Sequence, residues 1–159
     1  MKLRVVFDCM VFLQGAGHPA GPAGACLSLV DDDRVTLFLN DEILAEIRDV
    51  LTRPNTQRRF PLLTAESVDE FSRDVERKSI VLANVPNAYS LPRDPKDERY
   101  LNVAIASHAE FLVSRDLDLL DLMKDTAFRQ QFPSLTILDP VAFLKIMANR
   151  DSTEPSESS

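Results

Sequence analysis

The chain is expected to fold as an α/β protein, a mainly parallel sheet with helices on both faces, and three observations predict it. Short apolar, β-branched runs alternate with longer stretches of helical period along the sequence. Apolar residues make up 45% of 159 residues, which is enough for one buried core and argues against two domains. Asp94-Pro95 and Asp139-Pro140 each place a capping acid before a proline at a first helical position, where the missing N–H is no loss.

In chain order, the first strand is expected over residues 3–7, followed by a loop, because all four glycines fall between Gly15 and Gly24 beside Pro19 and Pro22. A helix over 22–30 leads to a strand over 35–39, and Asn40 then caps a helix over 41–51. A helix over 65–78 precedes a strand over 80–83, continued at Val85. The helix opened by Pro95 runs over 95–109, with Leu101, Ala104, Ile105 and His108 in one inward stripe. A strand over 111–114, a helix over 117–124, a strand over 135–138 and a helix over 140–148 complete the pattern. Strands separated by helices require crossover connections, hence a parallel sheet covered on both sides. One domain is expected over 1–148, and the acidic, Ser-rich end, 149–159, reads as a disordered tail.

The net charge of −7 argues against a sequence-general nucleic-acid coat, which is usually basic, but not against an enzyme that gathers acids around a cation. No apolar run reaches the roughly 18 residues that span a bilayer, and the N-terminus shows no cleavable signal pattern, so the expected location is cytoplasmic. Cys9 and Cys26 read as reduced core thiols. The glycines lack the spacing of a phosphate-binding loop.

One carboxylate interrupts the apolar run "VVFDCMVF" at Asp8. In parallel sheets, functional groups collect at the carboxyl ends of strands and the amino ends of the helices that follow. Asp8 follows the first strand, Asp116 follows the fourth, Asp97 lies in the first turn of the helix opened by Pro95, and Glu46 lies in the second turn of the helix after Asn40. These four acids converge on one edge. At an effective dielectric near 20, each pair about 4 Å apart costs roughly 4 kcal/mol, so a positive partner is required. Oxygen ligands without partnering His or Cys favour Mg²⁺ or Mn²⁺, and such an ion suits phosphodiester hydrolysis.

Other features read more plainly. Asp94 and Asp139 are assigned mainly to capping, "DDDRV" to a solvated loop, and His18 and His108 to structural roles. Four arginines, Arg48, Arg53, Arg58 and Arg59, stand against one acid, Asp49, in a short stretch. Arg53, Arg58 and Arg59 are candidates for gripping RNA phosphates, with a solvated surface the equal alternative.

The segments "LRVVFDCMVF", "LNDEILAEIRDVLTRP", "DPKDERYLNVAIASHAEFLVSRDLDLL" and "LTILDPVAFL" resemble the PIN-domain ribonucleases, and within them the VapC-like toxins of toxin–antitoxin pairs. The resemblance spans about residues 3 to 146, and its third segment is the most specific. It implies a three-layer α/β/α sandwich and a metal-dependent endoribonuclease, leaving a 5′-phosphate and a 3′-hydroxyl. Asp8, Asp97 and Asp116 would hold Mg²⁺ or Mn²⁺, Asp118 would be an accessory ligand, Ser114 would lie beside the metal site, and Glu46 would position a water or second ion. An antitoxin protein and a homodimer are the expected partners, beside the RNA substrate. The sequence departs from the family at Cys9 and Met10, where a small hydroxyl residue and an asparagine are common. That departure keeps open a second reading, a PIN-like module that binds RNA or protein without cutting. A receiver-like domain phosphorylated at Asp8 ranks last, because no lysine follows a late strand.

Overall fold

A computed structural model describes residues 2–153. Five parallel strands form one sheet in the order β3-β2-β1-β4-β5: β1 (Leu3–Phe7), β2 (Val35–Asn40), β3 (Ile80–Leu82), β4 (Phe111–Val113) and β5 (Thr136–Leu138). Each expected strand is present. The central three are buried on both faces over most of their length, which is why Val5–Phe7, Leu37–Leu39 and Phe111–Val113 read as apolar runs.

The helices are α1 (Cys9–Gly17), α2 (Pro22–Asp31), α3 (Asp41–Leu51), α4 (Pro54–Arg59), α5 (Ala65–Lys78), α6 (Glu98–Ala106), α7 (Leu117–Leu120), α8 (Thr126–Gln131) and α9 (Pro140–Thr153). Right-handed crossovers put the β1–β2 and β2–β3 connections on one face and the β3–β4 connection on the other. The packing agrees: Phe12 of α1 and Phe143 of α9 both meet Phe7 of β1, while α6 packs across β1, β2 and β4. The result is the three-layer α/β/α sandwich.

Several expectations are corrected. The stretch after Asp8 is a helix, not a continued strand or loop. Asp8 ends β1 and caps α1, its carboxylate accepting the Val11 N–H at 3.2 Å. The glycines serve packing: no glycine among the described residues has positive φ, and a Cβ on Gly24 of α2 would lie 2.0 Å from the Pro19 carbonyl oxygen. α4 and α8 are short helices that propensity did not mark. The helix expected over 95–109 is a 3₁₀ turn, Pro95–Asp97, followed by α6, which ends at Ala106. His108 takes a left-handed φ of 54° and faces solvent, so the inward arc of α6 is Tyr100, Leu101, Val103 and Ala104. The segment expected over 117–124 divides into α7 and a 3₁₀ turn, Asp121–Lys124. α9 continues to Thr153, so the expected tail from residue 149 begins as helix, and residues 154–159 lie outside the described residues. Both cysteines are free and buried, as expected of core thiols.

Candidate metal centre

The strand register places the first acid. Val6 pairs with Leu112 and Phe7 with Val113, so Asp8 and Ser114 are the next residues along neighbouring strands, and the Asp8 N–H extends the ladder to the Val113 carbonyl at 3.1 Å. Alternation turns both side chains toward the α6 face. Ser114 Oγ donates to Asp8 Oδ2, and the same oxygen accepts the Asp116 N–H at 2.9 Å. Asp116 caps α7, its Oδ1 accepting from the N–H groups of Asp118 at 2.8 Å and Leu119 at 3.4 Å. Both aspartates therefore hold helix ends open at the carboxyl edge, in orientations fixed by backbone.

The 3₁₀ turn supplies the other acids. A 3₁₀ helix has three residues per turn, so side chains at i and i+3 eclipse. Asp94 and Asp97 stand in that relation, and the Asp97 N–H closes the turn on the Asp94 carbonyl at 3.1 Å. Among the described residues, carboxylate oxygens of Asp94, Asp97 and Asp116 all lie within 4.8 Å of one another. The assignment of Asp94 to capping is thereby corrected. Its side chain caps nothing, because α6 proper begins only at Glu98, whereas the Asp139 carboxylate does accept the Ala142 N–H at 2.8 Å. α6 also fixes the incoming segment: Asn102 accepts from Ala88 at 2.9 Å and Tyr89 at 3.0 Å, and Glu98 accepts from Leu91 at 2.8 Å.

Charge in the site is unbalanced. Burial, then the charges of Asp116 and Asp94 and hydrogen bonds with them, push the Asp97 carboxyl up to about 8, and its buried Oδ2 has no hydrogen-bond partner. Burial pushes Asp8 up to about 6, opposed by the bonds from Ser114 and Val11 and reinforced by the charge of Asp116. At about 5 Å and an effective dielectric of 20, each ionised pair would cost on the order of 3 kcal/mol. An orphaned carboxylate oxygen inside a cluster of acids fits a hard divalent cation held by oxygen ligands.

Asp8, Glu46 and Asp118, expected at the site, are not members of the three-acid cluster, and the remaining candidates have partners of their own. Glu46, half-buried on α3, accepts from the Tyr100 hydroxyl and pairs with Arg99 Nη1 at 2.7 Å. Tyr100 is fully buried, and burial, with the neighbouring Cys9 and Glu46, pushes its hydroxyl well above the ordinary tyrosine range. Cys9, at the start of α1, adjoins Glu46 and Asp8, and burial followed by those two charges pushes its thiol up to about 12. Asp118 pairs with Arg93 at 3.0 Å. Arg53 pairs with Asp49 at 2.6 Å, Arg58 bonds Asn55, and Arg59 lies over the Phe60 ring at 5.3 Å. Sequence reasoning passed over Arg93, Arg99 and Tyr100, whose partners are distant in sequence. For Asp94, the Asp-Pro-x-Asp spacing was the available signal.

A parallel α/β/α sandwich with carboxylates gathered at its carboxyl edge defines a class of proteins built to bind a divalent cation beside a polar substrate. The family model described as the PIN domain matches residues 4–118, and the chain belongs to that family. PIN domains are generally metal-dependent nucleases, and the match contains Asp8, Glu46, Asp94, Asp97, Asp116 and Asp118. The fourth resembling segment, "LTILDPVAFL", lies beyond it. The chain is similar to the uncharacterized protein MJ1680 of Methanocaldococcus jannaschii, at 27% identity over 135 residues, covering 80% of each chain. Among the described residues no helix is long and apolar enough to cross a membrane.

Proposed function

We propose that this protein is an endoribonuclease that uses Mg²⁺ or Mn²⁺ to hydrolyse RNA phosphodiester bonds, and that it is the toxin of a toxin–antitoxin pair. The observation that carries the nuclease reading is the orphaned Asp97 Oδ2 inside the Asp94–Asp97–Asp116 cluster. Asp97 and Asp116 would hold the ion with Asp8 behind them. Asp94 joins them at the cluster, and Asp118 is an accessory ligand that would first have to leave Arg93. When bound, the ion supplies a Lewis acid to the phosphoryl oxygen and makes a bound water easier to deprotonate.

The chain's own residues do the rest. Ser114 and the α1 amino end hold the Asp8 carboxylate in one orientation, and the α7 amino end does the same for Asp116. Arg99 and Tyr100 fix both oxygens of Glu46, so Glu46 acts as the group that orients a water and receives its proton. Attack at phosphorus expels the 3′-oxygen and leaves a 5′-phosphate. An antitoxin segment covering the acidic groove and a homodimeric assembly belong to the same proposal, which rests there on the likeness of "DPKDERYLNVAIASHAEFLVSRDLDLL" to the toxin branch.

One observation favours the second reading, a module that binds without cutting: Arg99 and Arg93 already neutralise Glu46 and Asp118 without an ion. Cleavage of single-stranded RNA with Mg²⁺, with Mn²⁺ and with EDTA, repeated on Asp116→Asn, decides between them. Cleavage dependent on both the ion and Asp116 is expected. RNA binding with no cleavage and no Mn²⁺ uptake at millimolar ion would establish the module instead.

A further inference from the structure

Beside the acid cluster lies a second feature of opposite charge. A cavity of about 280 Å³ opens where α1 ends and α2 begins, lined by Gln14, His18, Arg59, Phe60 and Arg115, with no carboxylate in its wall. Arg59 and Arg115 form no ion pair among the described residues, although the arginines around the acids do: Arg53 with Asp49, Arg93 with Asp118, Arg99 with Glu46. The Phe60 ring supports the Arg59 guanidinium from one side. The amino end of α2 faces the same space, and its cap, Gly21, offers no side chain to the first N–H groups. Two guanidiniums without an ion pair among the described residues, an imidazole and a helix end with no side-chain cap thus converge in a chain whose net charge is −7.

The position gives the cavity its meaning. Arg115 stands between Ser114 and Asp116, so one of the two residues that carry the cavity's charge is covalently next to the acid cluster. Side chains of neighbouring residues leaving a strand point to opposite faces. Asp116 joins the cluster on the α6 side, and Arg115 lines the cavity on the α1–α2 side. A strand lying across the end of β4 meets both.

We propose that this cavity is a phosphate subsite for the RNA strand, in which Arg59 and Arg115 hold an internal backbone phosphate near the one cleaved at the acid cluster. The class of anion rests on the ribonuclease reading, but the binding itself needs no metal. Arginine suits this task because its planar fork meets two phosphate oxygens at once.

The test is binding of the 159-residue chain, in EDTA, to a fluorescent single-stranded RNA of about ten nucleotides, prepared with a 5′-hydroxyl and with a 5′-phosphate. Arg59→Gln and Arg115→Gln are each expected to weaken binding about 3- to 10-fold on both strands. Each should also flatten the dependence of log affinity on log salt by about 0.7. Lys2→Gln, the same charge change at the opposite edge of the sheet, should leave affinity unchanged, and melting curves should confirm that all variants fold. Unchanged affinity in the arginine variants, or an equal loss in Lys2→Gln, overturns the subsite while leaving the nuclease assay to stand on its own. A loss confined to the 5′-phosphorylated strand overturns the internal-phosphate assignment in favour of a terminal one. A wild-type chain that binds neither strand overturns it as well.

Discussion

Ser114 joins the two aspartates that end neighbouring strands: its hydroxyl donates to the Asp8 carboxylate and accepts the Asp116 N–H at 2.9 Å. One buried atom thereby ties the carboxylate that follows β1 to the backbone that follows β4. Ser114→Ala should remove the strongest bond holding Asp8 charged, raise its pKa further, and leave a buried acceptor unsatisfied at a cost of about 1–3 kcal/mol. Mn²⁺ affinity should fall about 10- to 100-fold, as for other groups that orient ligands. Calorimetric Mn²⁺ titration with thermal melting checks both, and an unchanged affinity would show that Asp8 needs no such support.

The acids make the metal-free protein sensitive to pH in an unusual direction. Asp8 is pushed up from 3.8 to about 6 and Asp97 from 3.8 to about 8, so over this window the folded state binds more protons than the unfolded state. Stability must then fall as pH rises through it, from about 4 to 6 for Asp8 and up to about 8 for Asp97. The Asp8 share is on the order of 3 kcal/mol, whereas half-exposed Asp97 contributes less than its shift implies. In EDTA, melting temperature should therefore be lower at pH 8 than at pH 5, and millimolar Mn²⁺ should restore more at pH 8. Asp97→Asn should raise the metal-free melting temperature at pH 8 and abolish cleavage. A destabilised Asp97→Asn would contradict the unbalanced charge on which the metal centre rests.

Glu46 differs from the other acids because both its oxygens are engaged, by Tyr100 and by Arg99 at 2.7 Å. Glu46→Gln should lower cleavage at least tenfold while changing Mn²⁺ affinity less than about threefold. Asp116→Asn should lower both. If Glu46→Gln lost metal as completely as Asp116→Asn, Glu46 would be a ligand and Arg99 a competitor for it.

The fold was legible where one physical signal dominated. Buried strands wrote themselves as apolar runs, and Asn40, Asp139 and the Pro22 and Pro140 starts marked helices by local chemistry alone. The glycines misled, because Gly15 looks like a turn residue but lies in α1, where a Cβ would crowd Leu27 of α2, and Gly24 sits against the Pro19 backbone in the turn before α2. At Gly24 a methyl would meet backbone, 2.0 Å from the Pro19 oxygen, whereas at Gly21 it would meet the His18 ring at 2.7 Å and backbone no nearer than 3.4 Å. Gly24→Ala should thus cost about 1–3 kcal/mol by overpacking, and Gly21→Ala distinctly less, as read by urea unfolding. In the site, the meeting of Asp97 with Asp116 followed from strand and helix order, whereas Asp94, read as a capping residue, is the third member of the cluster and Asp8 and Glu46 are not in it. The pairing of Asp8 with Ser114, of Glu46 with Tyr100 and Arg99, and of Asp118 with Arg93 did not, because those contacts join residues far apart in the chain, and no local rule anticipates them.

The departure at Cys9 has a definite consequence now that its surroundings are known. Its thiol is buried against Glu46 and Tyr100 and pushed up to about 12, so it stays protonated and should resist a thiol reagent at pH 8 in the folded protein. A thiol is a weak donor, whereas a serine hydroxyl in the same place would hydrogen-bond Glu46 more strongly. Cys9→Ser should therefore raise kcat severalfold, by holding Glu46 toward its water, with Mn²⁺ affinity unchanged. Met10 is exposed and outside that contact, so Met10→Asn alone should do less than Cys9→Ser. Single-turnover cleavage rates of the two variants rank them, and a larger gain from Met10→Asn would move the limiting contact from Glu46 to the mouth of the site.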